Sequence, residues 1–404
     1  MHRLENIRNV FLGKDSESYS DNLSAITEIN KVIEIDIPFK DLNDNERFKE
    51  HINDINGVNL IGFMNSAIGL GHTSRLIISA LDRLKIPYLL AELDIVPDGS
   101  NNYTTIDRTI FDTNIVCINP DITDSITRYL DDKRNIGVWA WELEEVPIKW
   151  IEDSVKYEKI WTISKFCQDI FKEKLINKNV VYLDFPVNYL KCDKDIAREH
   201  FNINKEKFVF LFVFDYNSDL GRKNVRNLIK VFNSTFKNND DVQLVLKTHS
   251  LPNDNLLDLE NENIILINEI LTIKDKNILM NISGAYISLH RTEGYGLTML
   301  ESIMLEKPLI CTNYSGSLDF CDKDYVELVN GKMVKVDEDS LYTRGFEYLE
   351  TPYWFEPDLK EASEKMLKVY NNIDFYSERA SKYKDIISDK INDDLLDEFI
   401  ENNL

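Results

Sequence analysis

SLHRTEGYGLTMLESIMLEKPLICTNYSGSLDF, residues Ser288 to Phe320, reads as strand, loop, helix, strand, loop. The apolar run that ends at Leu289 stops in the polar turn HRTEGYG. A helical period begins near Leu297 or Thr298, and KPLIC restarts a strand. A strand feeding a helix and then another strand is the repeating unit of a parallel sheet, where ligands sit beyond the carboxyl ends of the strands. HRTEGYG lies at such an end.

The same alternation extends in both directions. Upstream strands are expected at Val58 to Phe63, around Leu89 and Val116, and at Asn135 to Trp139, Lys159 to Ile163 and Val180 to Leu183. A second series runs through Phe208 to Phe214, Val242 to Lys247, Asn263 to Ile267, Ala285 to Leu289 and Lys307 to Cys311. The class is α/β, with two doubly wound units. The charged stretch KCDKDIAREHFNINKEK, Lys191 to Lys207, marks the boundary between residues 1–195 and 196–375. Residues 1–56 show no clean period and are assigned to the first domain as an extension. Residues 376–404 are charged and helical in pattern, and are expected to pack back on the first domain.

The chain has 404 residues, enough for two cores of ordinary size, and a net charge of −23 that argues against nucleic acid as a partner. The five cysteines (Cys117, Cys167, Cys192, Cys311, Cys321) are scattered and carry no metal-ligand spacing. They read as buried thiols in a reducing cytoplasm. The longest apolar run, Phe208 to Phe214, has strand length, and no secretory apolar region follows MHRLENIRNVFLGK. The absence of a basic amphipathic stretch disfavours tight unaided membrane binding, while peripheral contact with a lipid-linked acceptor stays open.

Within HRTEGYG, Gly294 and Gly296 suit either a tight structural turn or the close approach of backbone to a phosphate. Backbone amides at the following helix start form an anion site that needs no metal. Glu293 and Glu301 stand eight positions apart, at the two ends of that site, and a carboxylate accepts well from vicinal hydroxyls. Glu301 also fits a capping box with Thr298, and Glu293 also fits a solvated loop. A second constellation, DYNSDLGRKNVRNL, follows the strand at Phe208. Its Arg222, Lys223 and Arg226 read as a surface cluster or as cations aimed at a leaving diphosphate. Lys247 and His249 end a further strand, where either could reach a bound nucleotide on the donor side, and where a lysine also reads as a solvated cap.

At this point the segment resembles the family-4 glycosyltransferases of GT-B fold, whose hallmark is a pair of glutamates separated by seven residues, here Glu293-GYGLTML-Glu301. The resemblance implies two Rossmann-like domains facing a central cleft. The donor, a nucleotide diphosphate sugar, would lie on the C-terminal one. It further implies that Glu293 contacts the transferred sugar, that Glu301 contacts the ribose, and that the amides of Tyr295, Gly296, Leu297 and Thr298 receive the diphosphate. The family's Lys matches Lys223. Its Arg falls at Ser218, where this chain departs, and Arg222 stands as the substitute. Retention of anomeric configuration and independence from metals or other cofactors follow from the same likeness. A bacterial polysaccharide or protein glycosylation role is the corresponding expectation, with a glycan, a lipid-linked glycan or a protein as acceptor.

In the first half, NSAIGLGHTSR (Asn65 to Arg75) lacks the third glycine of a dinucleotide fingerprint, which disfavours NAD. It resembles a G-x-G-x-x-x-R form of bacterial polysaccharide transferases, which puts Gly69, Gly71 and His72 on the acceptor side. His72 also reads as an idle surface group. Trp139, Trp141 and Glu142 end another strand, and an indole face beside a carboxylate suits a sugar. At least one of those indoles is expected to be core. Asn119 and Asp121 close the acceptor-side set. Rival readings are a catalytically silent partner or carbohydrate-binding subunit, and an epimerase or phosphorylase of the same fold.

Overall fold

The computed structural model describes residues 56–66, 68–92, 109–183, 185–187, 203–216, 218–249, 259–338, 340–344 and 352–404, with residues 201, 251, 257 and 349. Nearly all of the 1–56 extension, the boundary near residue 195 and Cys192 lie outside the described residues. By contact density the chain falls into two compact units, Met1–Gly137 with Lys156–Glu158, and Val138–Val155 with Lys159–Leu404.

Among the described residues of the first half, strands β1 (Val58–Gly62), β2 (Tyr88–Glu92), β3 (Thr113–Val116), β4 (Arg134–Trp139), β5 (Lys159–Thr162) and β6 (Asn179–Tyr182) alternate with four α-helices. These are α1 (Gly69–Leu84), α2 (Thr123–Leu130), α3 (Ile148–Asp153) and α4 (Lys165–Lys174). The sheet order is β2-β1-β3-β4-β5-β6, and β1 pairs in parallel with both β2 and β3. Strand β1 is buried along its whole length, as a strand covered on both faces requires. Three asparagines tie the strands together: Asn59 donates to Asn114 Oδ1 at 2.8 Å, and Asn114 donates to Asn135 Oδ1 at 2.7 Å. All three are buried, so each amide must be satisfied internally, and the ladder fixes the register of β1, β3 and β4.

The second half holds β7 (Phe208–Val213), β8 (Val242–Thr248), β9 (Ile264–Asn268), β10 (Ala285–Ser288), β11 (Leu309–Thr312) and β12 (Glu327–Val329), in the order β12-β11-β10-β7-β8-β9. Helices α5 (Leu220–Lys223), α6 (Val225–Thr235), α7 (Ile273–Ile282) and α8 (Leu297–Met304) intervene. Strands β7, β8 and β9 run to one side, and β10 returns to the other flank of β7. The loops after β7 and β10 therefore diverge at a topological switch point, the usual ligand position in such sheets.

A hairpin absent from the sequence reading follows β12. Strands β13 (Gly331–Lys335) and β14 (Tyr353–Pro357) pair antiparallel, with the short helix α9 (Leu341–Arg344) between them. The short β12 was also missed. Helices α10 (Leu359–Asn371), α11 (Ile373–Lys390) and α12 (Asp393–Asn403) end the chain. On α12, Phe399 meets Trp161 of β5 edge-on at 5.2 Å, and Asn403 O accepts from Lys159 Nζ. Among the described residues no helix is long and apolar enough to cross a membrane.

Candidate active site

The switch point of the second sheet brings the two sequence constellations together. Asp219 caps α5 by accepting from Arg222 N at 2.8 Å, and Asn224, at φ 56°, ends the helix after one turn. This abrupt turn sends Arg222 and Lys223 toward the loop after β10. Arg222 Nη1 lies 3.0 Å from Glu293 Oε2, and Lys223 Nζ lies 2.5 Å from Glu293 Oε1. Arg226, the second residue of the next helix, is exposed.

Burial pushes the Glu293 carboxyl upward, but Lys223 and Arg222 pull it further the other way, to about 2. Glu293 is thus a fixed anion at neutral pH, and the solvated-loop alternative is excluded by its 9% exposure. Ser218 Oγ accepts a hydrogen bond from Arg222 Nη2 at 2.5 Å. The serine thus orients that guanidinium. Glu142 stands 3.9 Å from the same guanidinium, so two carboxylates share it.

The loop around Glu293 is held from several directions. Ser315 Oγ accepts from Glu293 N at 2.8 Å, and Gly316 N donates to Glu293 O at 3.0 Å. A Cβ on Gly316 would meet Gly294 O at 2.1 Å, so only glycine permits this approach. Gly296 has φ 98° and turns the chain into α8, so it serves the structural turn. The amides of Leu297 and Thr298 open the helix.

Beside Glu293, His290 is fully buried, with Nδ1 3.0 Å from Ser288 Oγ. Burial lowers its pKa to about 4 despite the nearby Glu293 carboxylate, so it braces the loop as a neutral ring.

Glu301 makes no capping box. The N-cap is Gly296, without a side-chain cap, and Glu301 lies beyond the first turn, 2% exposed, with Oε1 at 2.5 Å from Lys276 Nζ. The two glutamates of the motif therefore address different cations. Lys247 is buried at the carboxyl end of β8, while His249 Nε2 lies 3.4 Å from Asp215.

On the acceptor side the indoles need correction. Trp139 and Trp141 are 0% and 2% exposed, so neither offers a face for a sugar to stack on. Trp139 packs edge-on against Trp150 and Phe171, while Trp141 packs against Trp150 and Tyr342. Their large apolar area serves the core. Glu142 remains polar and accessible, accepting from Tyr342 OH at 3.0 Å.

Gly69, Gly71, His72, Asn119 and Asp121 belong to the other compact unit. There Gly69 starts α1, and His72 lies inside its first turn, half-buried. A Cβ on Gly71 would meet Ser66 O at 2.4 Å, and Arg75 clamps the same loop through Met64 O and Ser66 O. Half-buried Asn119 and exposed Asp121 follow β3. Because β1 is flanked by β2 and β3, these loops also leave a switch point.

Sequence reasoning missed Asp219, Lys276, His290, Ser315 and Tyr342. Asp219 had a signal, an acidic residue three positions before Arg222, and Ser315 stood inside the quoted NYSG. Tyr342 had none, because its role depends on the hairpin.

Two parallel sheets, with a glutamate held by two cations at a switch point, define an α/β architecture of two doubly wound units. Residues 193–366 match the model described as "Glycosyl transferases group 1". Solved structures share the fold. TarM, known from S. aureus, is 16% identical at TM-score 0.54, over 72% of this chain and 54% of that one. Sucrose-phosphate synthase from Thermosynechococcus elongatus is 9% identical at TM-score 0.62, over 86% and 97%. Anabaena HepE, in complex with UDP and glucose, is 11% identical at TM-score 0.60, over 86% and 98%. The chain thus spans about half the length of TarM, as a similar TarM complex containing UDP also shows at 54%. No curated protein matches in sequence.

Proposed function

We propose that the protein is a retaining glycosyltransferase that moves a hexose or N-acetylhexosamine from a nucleotide diphosphate sugar to a glycan, lipid-linked glycan or protein. The observation that carries the reading is Glu293, ionised and fixed between Arg222 and Lys223 at the carboxyl ends of β7 and β10. The match of residues 193–366 to the model of group 1 glycosyl transferases supports it. The solved structures of TarM and HepE that contain UDP make UDP-sugars the first donors to test.

In this reading Glu293 orients the sugar through its hydroxyls, and the ribose diol addresses Glu301. The first amides of α8 and the cations of α5 take the diphosphate, whose negative charge grows as the bond to C1 breaks. The acceptor oxygen forms its bond to C1 on the face that the diphosphate leaves, and the acceptor's proton passes to the departing phosphate oxygen. The protein's contribution is positioning and charge stabilisation. Arg222 and Lys223 supply positive charge where a divalent metal otherwise would.

The experiment is transfer from a panel of nucleotide sugars, with the product's anomeric configuration read by NMR. Retained configuration supports the full reading. Inverted configuration removes the front-face mechanism, and nucleotide binding without turnover favours the silent-partner alternative.

A further inference from the structure

Two of the buried thiols face each other. Cys311 Sγ lies 3.8 Å from Cys321 Sγ, contact distance for two sulfurs and about 1.8 Å longer than a disulfide bond. Cys117 and Cys167 are placed differently, with their thiols on Leu70 O at 3.4 Å and Trp141 O at 3.0 Å. Among the described cysteines only Cys311 and Cys321 meet sulfur to sulfur.

Cys321 is the approachable member. It lines a cavity of about 430 Å³ together with Lys323, Glu327, Asn330 and Lys365. Lys323 and Asn330 are exposed, so the cavity opens to solvent. Cys311 is 0% exposed and outside the lining. A small oxidant therefore meets Cys321 first. Burial, the facing Cys311 and Asp319 push its thiol well above the ordinary range, which makes oxidation slow at neutral pH.

The segment between the two cysteines carries the contacts that hold Glu293. Ser315 Oγ accepts from Glu293 N at 2.8 Å, and Gly316 N donates to Glu293 O at 3.0 Å. Cys311 is fixed, because β11 pairs it with Ser288 of β10 and with Leu328 of β12. Cys321 lies outside the strands and follows the 3-10 turn Gly316–Asp319. Its neighbours Phe320 and Asp322 are tied to α11 through the Tyr383 hydroxyl, one side chain against two strand pairings. Closing the gap between the sulfurs therefore draws Cys321 and the turn toward β11, and that turn begins at the residue that binds Glu293 O.

We propose that Cys311 and Cys321 are a modification site: a peroxide oxidises the pair to a disulfide, which shifts the turn that holds Glu293 and lowers transfer until a thiol reduces it. The Cys321 thiolate attacks one peroxide oxygen, the O–O bond breaks, and the departing hydroxide takes up the thiol's proton as water. The Cys311 sulfur then displaces the hydroxyl of the resulting sulfenic acid, which forms the S–S bond and releases a second water. Two electrons pass from the two sulfurs to the peroxide. The fall in transfer rests on the donor reading above, whereas the disulfide and the shift of the turn do not.

The test treats the reduced full chain with hydrogen peroxide, blocks free thiols with N-ethylmaleimide in denaturant, and weighs the tryptic peptide that carries both cysteines. Hydrogen exchange of residues 293–296 and transfer from an accepted nucleotide sugar are read on the same samples, before and after dithiothreitol. The expected peptide is unblocked and lighter by two hydrogens, exchange in residues 293–296 is faster, and turnover falls about 10-fold or more, since a misplacement on the order of 1 Å can cost about 100-fold. Dithiothreitol restores all three. Cys311→Ala and Cys321→Ala should form no cross-link and keep their turnover in peroxide. Full blocking of both cysteines in peroxide-treated wild type would overturn the proposal without recourse to a variant. Unchanged exchange and turnover in the cross-linked protein, or an equal loss of turnover in Cys321→Ala, would do the same. Cross-linking with altered exchange in a protein that turns over no nucleotide sugar even when reduced would sink the donor reading and leave the modification site standing.

Discussion

Arg222 Nη1 stands 3.0 Å from Glu293 Oε2, and the two residues reach each other from the loops after β7 and β10, neighbouring strands at the point where the sheet order reverses. With Lys223 on the other oxygen, both halves of the carboxylate are claimed. A group fixed in this way keeps its charge and direction before any ligand arrives, which is what electrostatic preorganisation requires.

The Glu293 pKa sets one pH dependence. Its folded value is about 2, against an ordinary 4.5. A depressed carboxylate adds stability above its unfolded pKa and loses it as pH falls toward the folded one. The stability difference between wild type and Glu293→Gln should therefore shrink between pH 7 and pH 3, by about 2 kcal/mol. Chemical denaturation at the two pH values measures it, and an equal difference at both would contradict the pairing.

Gly316 and Gly69 give a contrast in backbone crowding. Gly316→Ala would set a methyl group 2.1 Å from Gly294 O and displace the loop that carries Glu293, whereas nothing lies within 4 Å of a Cβ at Gly69. Gly316→Ala should cost about 2–4 kcal/mol and most of the activity, while Gly69→Ala should be neutral or slightly stabilising. Thermal melts and donor turnover of the two variants check this.

Tyr342 connects the hairpin to the site. Its hydroxyl bonds Glu142, and its ring lies edge-on to Trp141 at 5.6 Å. Tyr342→Phe removes only the hydrogen bond and should lower kcat/KM about 5- to 10-fold, in line with roughly 1 kcal/mol, with little change in Tm. Tyr342→Ala also removes the packing and should lower Tm. Steady-state kinetics beside melts separate the two contributions.

Metal removal provides another check. If Arg222 and Lys223 carry the charge of the leaving diphosphate, excess chelator leaves the transfer rate unchanged. A rate abolished by chelator and restored by a divalent cation would show that the two side chains do not suffice.

The sheets were legible because their strands are apolar runs separated by turn residues, and such periodicity survives without tertiary information. The hairpin was not legible. Gly331–Lys335 is largely exposed and mixed in composition, so only its pairing with Tyr353–Pro357 makes it a strand. The cores of both constellations, Glu293 with Glu301 and Arg222 with Lys223, were legible from residue type at strand ends. Their partners were less so. Trp139 and Trp141 look alike as sugar platforms and as core, and burial alone separates the two. Lys276 reads as a solvated helical lysine until α7 sets it on Glu301, and the Asn59, Asn114 and Asn135 ladder exists only across strands distant in sequence.

The most direct test is the turnover of a nucleotide sugar accepted by the wild type, measured for Glu293→Ala and for the Arg222→Ala/Lys223→Ala double variant under saturating donor. The account predicts losses of roughly 100-fold or more in kcat for both, the size of removing a preorganised charge from a transition state, with each variant still folded by circular dichroism. Wild-type turnover in Glu293→Ala would contradict it.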